Sequence, residues 1–260
     1  MNEPAPAYSD DAFLGGRVML LQPEKGVRAG IDAVFLAASI PAEAGDRLVE
    51  AGIGSGAASL CLNARVGGLK ITGLETEPES AVLAQRNIER NNAQGAVQVI
   101  EADVTAPGRL LQEQGIEPDA YDHVFANPPY YDEGSGRASS LPGKAAAHML
   151  RRGDLAKWIK FMVRCARPGA SISMIHRPEA LAEIINALEG RAGALRILPL
   201  FPRPGAPAIR IIVQARKASR APLAILSGLA LQDETGRYSS RAEAVLRMGE
   251  SFLLDEKPKP

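Results

Sequence analysis

One stretch decides the fold of this chain: RLVEAGIGSGAASLCLNAR, residues 47–65. Its first five residues form a short apolar run typical of a buried strand, and its last nine have the composition of a helix. Gly52, Gly54 and Gly56 stand between the two, and glycine permits the positive φ angles of a tight strand-to-helix turn. In doubly wound α/β folds, such a turn lies at the carboxyl edge of a parallel sheet, where ligands bind.

The alternation of strand and helix patterns continues on both sides of this stretch. An extra strand (17–21) and helix (30–39) precede it, and a short strand (223–229) and a helix (239–248) are predicted near the end. Further strands are predicted at 70–75, 97–102, 121–126 and 170–176, and further helices at 78–92, 153–167 and 178–188. Runs at 195–200 and 209–215 are joined by a turn rich in Pro and Gly, which predicts an antiparallel hairpin. The pattern therefore predicts an α/β fold with a mostly parallel sheet, a C-terminal edge hairpin and an N-terminal extension.

Composition excludes several classes of protein. Hydrophobic residues make up 46% and charged residues 23% of the 260 positions, as in globular proteins. Two cysteines and three scattered histidines do not supply a disulfide framework or a metal site, so we expect no metal and a reduced, cytoplasmic location. Neither a signal peptide nor an apolar stretch of about 18 residues is present, so we expect no membrane contact. The sequence does not indicate which oligomeric state the protein adopts.

Charge is distributed unevenly along the chain. Residues 151–220 contain 14 Lys and Arg against four Asp and Glu, whereas residues 1–150 contain 11 against 20. A basic segment of this size is the electrostatic footprint expected of a protein that binds RNA. The alternative is that these cations pair with the acidic half of the chain.

The glycine cluster fits two cofactors. Gly52, Gly54 and Gly56 have the G-x-G-x-G spacing common in S-adenosylmethionine sites, whereas Gly52, Gly54 and Ala57 also satisfy the dinucleotide spacing G-x-G-x-x-G/A. Glu75, 23 residues after Gly52, ends the second strand, where a carboxylate would bind both hydroxyls of a ribose. Both cofactors contain a ribose, so Glu75 does not distinguish them.

Two further acids follow strands at the same edge. Asp103, at the end of the third strand, would accept a hydrogen bond from an adenine amino group or cap a helix. Glu50 either orients the glycine cluster or is a surface acid at a strand end. We include both among the candidate cofactor-binding residues.

Asn127-Pro128-Pro129-Tyr130 directly follows the fourth strand. In that position it resembles the motif of S-adenosylmethionine-dependent methyltransferases that modify planar nitrogen atoms, namely adenine N6, guanine N2 or a glutamine amide. The resemblance implies a Rossmann-like methyltransferase fold with S-adenosylmethionine as cofactor. It also implies a role for each residue: the Asn127 side chain and the Pro128 carbonyl accept the two amine hydrogens, the prolines stiffen the loop, and Tyr130 stacks on the base.

The N-terminal region extends the resemblance. Residues 14–17, 22–23 and 26–38 resemble the corresponding segment of tRNA (adenine-N6)-methyltransferases that act on adenine 37 of a valine tRNA. In that family the segment lies over the methionine end of the cofactor, which implies cofactor-binding roles for Arg28 and Asp32. The resemblance covers roughly residues 12–215.

The chain departs from the family pattern at two points. Glu50 stands where Asp is more common in the family. Residues 145–148 read AAAH where relatives carry Ala-Arg-His, which puts a substrate role for His148 in doubt.

These observations predict a domain organisation. An N-terminal extension, residues 1–45, would pack over the cofactor site, and residues 46–216 would form the methyltransferase core. Residues 217–260 would be a C-terminal extension, either part of the same domain or a tail. The glycine-containing stretch 131–144 is expected to form a lid, with Tyr131 as a second stacking residue.

The predicted function is transfer of a methyl group from S-adenosylmethionine to the N6 amine of an adenine in RNA, within tRNA processing, with residues 151–220 binding phosphates. The alternatives keep the chemistry and change the acceptor to a glutamine amide in a translation protein or to guanine N2 in rRNA. More remote alternatives are a nicotinamide-dependent oxidoreductase, which leaves residues 127–130 unexplained, and a non-catalytic RNA-binding protein.

Overall fold

The computed structural model describes residues 8–130 and 154–254. Within these ranges there are eleven strands: β1 Tyr8–Phe13, β2 Val18–Pro23, β3 Arg47–Ala51, β4 Lys70–Glu75, β5 Val97–Glu101, β6 Tyr121–Ala126, β7 Ala166–His176, β8 Ala192–Phe201, β9 Arg210–Lys217, β10 Ala224–Ile225 and β11 Leu229–Ala230. The seven α-helices of the same ranges are α1 Ile31–Ser39, α2 Ala57–Val66, α3 Pro78–Arg90, α4 Gly108–Glu113, α5 Asp154–Cys165, α6 Leu181–Leu188 and α7 Ser240–Met248.

The central sheet confirms the predicted fold class. Its strands are ordered β10-β8-β9-β7-β6-β3-β4-β5, and β11 also pairs with β8. Strands β3 to β7 pair in parallel, while β9 runs antiparallel between β7 and β8. The predicted late hairpin is therefore present as β8 and β9.

One detail of the edge prediction is wrong. The predicted strand 223–229 is two strands of two residues each, β10 and β11, and both pair in parallel with β8. They lie on the side of β8 away from β9, so the hairpin does not form the outermost edge. A short edge strand offers few unpaired backbone groups to another chain.

Apolar side chains cover the sheet on both faces. Leu48 and Phe125 point to one face, in a cluster that includes residues of α1, α2 and α7. Their chain neighbours Val49 and Val124 point to the other face, where they cluster with residues of α5 and α6. Because successive strand residues alternate between faces, a strand buried on both sides is apolar at neighbouring positions, as at Leu48-Val49 in β3 and Val124-Phe125 in β6.

The N-terminal hairpin of β1 and β2 is held by two asparagines, Asn91 at the end of α3, which pairs with the Met19 backbone, and the buried Asn87 within it. The side chain of Asn87 accepts from the Leu21 backbone N–H (2.8 Å) and donates to the Leu21 carbonyl (3.0 Å). The same amide donates to the carbonyl of Ser55, in the glycine-rich turn, at 2.9 Å. Asn87 therefore connects the hairpin to the turn that precedes α2.

The C-terminal segment packs on α1. Helix α7 begins after Ser239, whose hydroxyl accepts from the Ala242 N–H, and it ends at Gly249 with φ +63°. Ala242 and Val245 are fully buried, and the Phe252 N–H donates to the Ala38 carbonyl at 2.8 Å. Across the described ranges, no helix has the length and apolar character needed to span a membrane.

Candidate active site

The topology gathers the candidate residues at one edge of the sheet, called here the site edge. Parallel strands β3 to β7 all end there, and antiparallel β9 begins there, with Ile211 paired to His176. The segments that follow or precede these strand ends are the glycine loop (residues 52–56), Glu75, Asp103, the acceptor segment (residues 127–130), His176 and Arg210.

The three glycines of the glycine loop share a positive φ angle but differ in the space around them. The φ angles of Gly52, Gly54 and Gly56 are +70°, +56° and +87°, in the region that L side chains rarely adopt. A Cβ on Gly52 would lie 2.5 Å from the Trp158 ring, and one on Gly56 would contact Leu60 at 3.5 Å. A Cβ on Gly54 would meet nothing within 4 Å, so only Gly54 leaves the loop backbone open to a ligand.

The Glu75 carboxylate is held by backbone donors. One oxygen accepts from the Gly54 N–H at 2.9 Å, and the other accepts from the N–H groups of Thr76 and Glu77 at 2.9 and 3.0 Å. A carboxylate offers about four acceptor positions, so capacity remains for a hydroxyl. The arrangement orients Glu75 beside the glycine loop before any ligand binds.

Glu50 is not a surface acid, so that alternative is wrong. Its side chain is 2% exposed, and its Oε2 accepts a hydrogen bond from the Ser59 hydroxyl of α2. Burial raises the pKa of Glu50 to about 8, so the carboxyl is largely protonated at neutral pH. Glu50 therefore connects the end of β3 to the first turn of α2, across the glycine loop.

Asp103 lies in a local turn. Its Oδ1 accepts from the Thr105 N–H at 2.7 Å and from the Thr105 hydroxyl at 2.8 Å. The helix-cap alternative is wrong, because α4 begins at Gly108 and its N-cap residue is Pro107. The exposed carboxylate follows β5, and Ala102 N–H donates to the Glu75 carbonyl, so the two acids follow adjacent strands.

The acceptor segment is connected to distant parts of the chain through Tyr130. The Tyr130 hydroxyl lies 2.8 Å from Asp32 Oδ2 and 3.0 Å from Asn127 Oδ1. Arg210 Nε donates to the same Asp32 oxygen at 2.7 Å, and the two side chains are only 25% and 17% exposed. Asp32 stands in the first turn of α1, where the helix dipole favours an acid.

Cations and an imidazole surround the Tyr130 ring. The guanidinium carbons of Arg210 and Arg177 lie 4.7 and 5.5 Å from its centroid, and the His176 ring packs edge-on at 5.0 Å. Burial and the neighbouring Asp32 raise the pKa of Tyr130, so its hydroxyl keeps its proton at neutral pH. The ring is therefore held in one position.

Sequence reasoning missed His176 and Arg210. His176 is 3% exposed, and neither ring nitrogen has a hydrogen-bond partner in the part of the chain that the structure describes. Burial lowers its pKa to about 4, so the ring is neutral at physiological pH. Strand order could have identified both residues. His176 ends β7, the strand next to β6, and Arg210 begins β9, which runs antiparallel to β7 and therefore starts at the same edge.

The structure does not bring Arg28 into this group. Arg28 donates to Asp11 at 2.6 Å and to the Pro23 carbonyl at 3.0 Å, so its hydrogen bonds lie within the N-terminal hairpin region. The predicted lid 131–144, Tyr131 and His148 lie outside the described residues.

The basic segment is divided between two edges of the sheet. Its first three residues, 151–153, lie outside the described ranges. Arg177 follows β7 and Arg203 follows β8, both at the site edge, whereas Arg167, Lys217 and Arg220 lie at the opposite edge. Arg167 pairs with Asp122 and Lys217 with Asp119, each at 2.6 Å, so part of the positive charge is neutralised by the acidic half.

The polar groups at the site edge fit a nucleoside cofactor. An oriented carboxylate and an open glycine backbone lie side by side at the site edge, as Glu75 and Gly54. Within the described ranges, no cluster of three or more His, Cys, Asp or Glu could hold a metal ion.

Comparison with known proteins identifies the family. The family model "Methyltransferase small domain" matches residues 28–159. The "tRNA1(Val) (adenine(37)-N6)-methyltransferase" of Shewanella sp. (strain W3-18-1) is 23% identical over 231 residues, which is 88% of this chain and 93% of the relative. The protein of the same name from Cronobacter sakazakii is 26% identical over 194 residues, 74% of this chain and 76% of the relative.

A solved structure supports the same family. A crystal structure described as a predicted O-methyltransferase from Agrobacterium tumefaciens superposes with a TM-score of 0.73 and 28% identity, covering 86% of this chain and all of that one.

Proposed function

The chain belongs to the methyltransferase small domain family, and on that premise we propose that it methylates the exocyclic N6 amine of an adenine in RNA, with tRNA as the expected substrate. It is an S-adenosylmethionine-dependent methyltransferase. The family decides the choice that the glycine spacing left open, so the nicotinamide-dependent oxidoreductase alternative is wrong.

The observation that carries the proposal is the position of the acceptor segment. Asn127 and Tyr130 lie at the end of β6, adjacent to β3 and the glycine loop. An amine conjugated to an aromatic ring is a weak nucleophile because its lone pair is delocalised into the ring. The Asn127 side-chain carbonyl and the Pro128 backbone carbonyl accept its two N–H bonds and turn the lone pair out of the ring plane.

The residues that would hold S-adenosylmethionine lie on the neighbouring strands. We assign Glu75 to a ribose hydroxyl, Asp103 to the adenine amino group and the glycine loop to the remaining backbone contacts. Glu50 supports the loop through its bond to Ser59 of α2. When bound, the cofactor supplies a methyl group already activated by its sulfonium. The family resemblance implies contacts of Arg28 and Asp32 with its methionine end. The bonds of Arg28 to Asp11, and of Asp32 to Tyr130 and Arg210, favour other roles for both, so we assign neither to the cofactor.

The relatives' names and the charges at the site edge support an RNA substrate. Arg177 and Arg203 follow strands that end at this edge, and phosphate contacts there would position a base extruded toward Tyr130. We assign the RNA contact within the basic segment to this edge rather than to all of residues 151–220. A cytoplasmic location accords with the two cysteines, Cys61 and Cys165, which are free and buried.

Mass analysis of methylated nucleosides tests the function most directly. Purified protein is incubated with S-adenosylmethionine and, separately, with unmodified tRNA, ribosomal RNA and a translation-protein fraction. The proposal expects N6-methyladenosine in the tRNA digest. N2-methylguanosine, a ribose 2′-O-methyl nucleoside or methylglutamine would each identify a different acceptor and overturn the adenine assignment.

A matched pair of arginines tests the RNA surface. Both Arg203 and Arg220 are exposed, but they lie at opposite ends of the β8–β9 hairpin. Arg203→Ala should weaken tRNA binding about threefold and reduce the salt dependence of binding by about one phosphate contact, as expected for one lost ion pair. Arg220→Ala is the control, and binding titrations at several salt concentrations measure both. Equal losses in the two variants would contradict a surface confined to the site edge.

A further inference from the structure

The Tyr130 hydroxyl has two potential acceptors and one proton. Its oxygen lies 2.8 Å from Asp32 Oδ2 and 3.0 Å from the carbonyl oxygen Oδ1 of Asn127. A carboxylate accepts hydrogen bonds and cannot donate one, whereas an amide can do either, depending on which end it presents. The proton therefore goes to Asp32, because a hydrogen bond to an ionised acceptor is the stronger one.

The second contact then fixes the amide of Asn127. With its proton committed to Asp32, the Tyr130 oxygen faces Asn127 only as an acceptor, so Asn127 must donate to it through Nδ2. In the structure Asn127 Oδ1 faces the Tyr130 hydroxyl, and a half-turn of the amide brings Nδ2 to that place with little change in shape. In the resulting arrangement the Asn127 carbonyl oxygen points away from Tyr130 and is available to the amine of the substrate.

Arg210 holds the carboxylate of Asp32, which accepts the Tyr130 proton. It donates to the same Asp32 oxygen at 2.7 Å, and its guanidinium lies 4.7 Å from the centroid of the Tyr130 ring. The ion pair is largely shielded from water, at 25% and 17% side-chain exposure, so it is screened less than a surface pair. Asp32 and the Tyr130 ring are thus fixed relative to each other by one side chain from β9.

We propose that Asp32 and Arg210 are positioning residues that act through the Tyr130 hydroxyl to keep the Asn127 carbonyl facing the substrate amine. This inference rests on the proposed function of Asn127 as an acceptor for that amine. Without Asp32, the Tyr130 proton has Asn127 as its remaining acceptor, so it captures the Asn127 carbonyl and turns the amide N–H₂ toward the substrate amine. Two donors then face each other, which opposes the required geometry.

This mechanism predicts a rescue that a structural role would not produce. Asp32→Ala should lower kcat about tenfold, since the oriented acceptor is misdirected. Tyr130→Phe keeps the ring and removes the hydroxyl, leaving Asn127 free to rotate, and should lower kcat only about threefold. The double variant should match Tyr130→Phe and so be faster than Asp32→Ala. Arg210→Met should lower kcat about threefold, and its effect should disappear when it is combined with Tyr130→Phe.

The experiment measures kcat for tRNA at saturating S-adenosylmethionine, with cofactor affinity determined by calorimetry for every variant. Unchanged cofactor binding together with the rescue would support the inference. A double variant as slow as Asp32→Ala, or slower, would overturn it, and so would a Tyr130→Phe enzyme of normal rate. A wild-type protein that methylates no adenine in any RNA would overturn the proposed function instead, which keeps the two failures distinguishable.

Discussion

The two halves of the site are built in different ways. The glycine loop and Glu75 come from residues 50–77 of the chain, and their contacts are mostly backbone N–H groups meeting a nearby carboxylate. The acceptor half joins Asp32, the segment 127–130, His176 and Arg210, which come from four separate parts of the chain and meet through side chains. The first half can be recognised from a local motif, whereas the second exists only after the sheet has formed.

The largest expected effect separates the halves by the step that each controls. Asn127→Ala should reduce the methyl-transfer rate about a hundredfold, because one oriented acceptor for the amine is lost. Cofactor affinity should stay near normal, since the contacts of Asn127 lie in the acceptor half. Single-turnover kinetics and calorimetry measure the two quantities.

Glu75→Ala is the matched variant in the other half. It should weaken cofactor binding about tenfold and leave the rate at saturating cofactor within a few fold of normal, in line with the loss of a charged hydrogen bond. A large fall in the saturated rate for Glu75→Ala, or a near-normal rate for Asn127→Ala, would break the division of roles.

The next effect concerns the folding stability that Glu50 contributes beside the glycine loop. Burial raises the pKa of Glu50 from 4.5 to about 8, so the folded protein keeps the proton that the unfolded chain releases above pH 4.5. Stability should therefore fall as pH rises from about 4.5 to 8. Glu50→Gln cannot ionise, and its stability relative to wild type should increase by about 2 kcal/mol between pH 5.5 and 7.

Urea unfolding of the two proteins across that pH range measures the difference. The glutamine keeps an acceptor for the Ser59 hydroxyl, which makes it a suitable isostere. Parallel pH profiles would show that Glu50 does not carry a buried proton.

The smallest effect tests what the loop glycines are for. Gly54→Ala should cost about 1 kcal/mol for its positive φ alone. Gly52→Ala should cost about 1 kcal/mol more, because its new Cβ would meet the Trp158 ring. Trp158 is the single tryptophan of the chain, so its fluorescence should change in Gly52→Ala and not in Gly54→Ala. Identical melting temperatures and spectra would mean that the ring moves aside freely.

Much of the core was predictable because local pattern and fold agree there. Strands 70–75 and 121–126 were predicted with the bounds that the structure has, since an apolar run buried on both faces stops at a charged or proline-containing turn. Helix α4 was missed because its six residues are too few to show a helical period. Strand β1, YSDDAF, was missed because two central acids hide its pairing with β2.

The second half of the site was less predictable, since it depends on strand order. His176 counted as one of three scattered histidines until β7 was placed beside β6. The basic segment read as one footprint, but the hairpin sends its residues to opposite edges and pairs some with acids from the first half of the chain. A count of charges along the sequence does not show which cations the fold brings next to acids.

The buried amide of Asn87 gives strands β1 and β2 a structural role at the glycine loop. Because it holds Leu21 and Ser55 at once, a shortened protein lacking β1 and β2 would leave this amide inside the molecule with two of its three hydrogen bonds unmade. Removal of the first strands would therefore disturb the turn that we propose as part of the cofactor site, although Leu21 and Ser55 lie more than thirty positions apart in the chain.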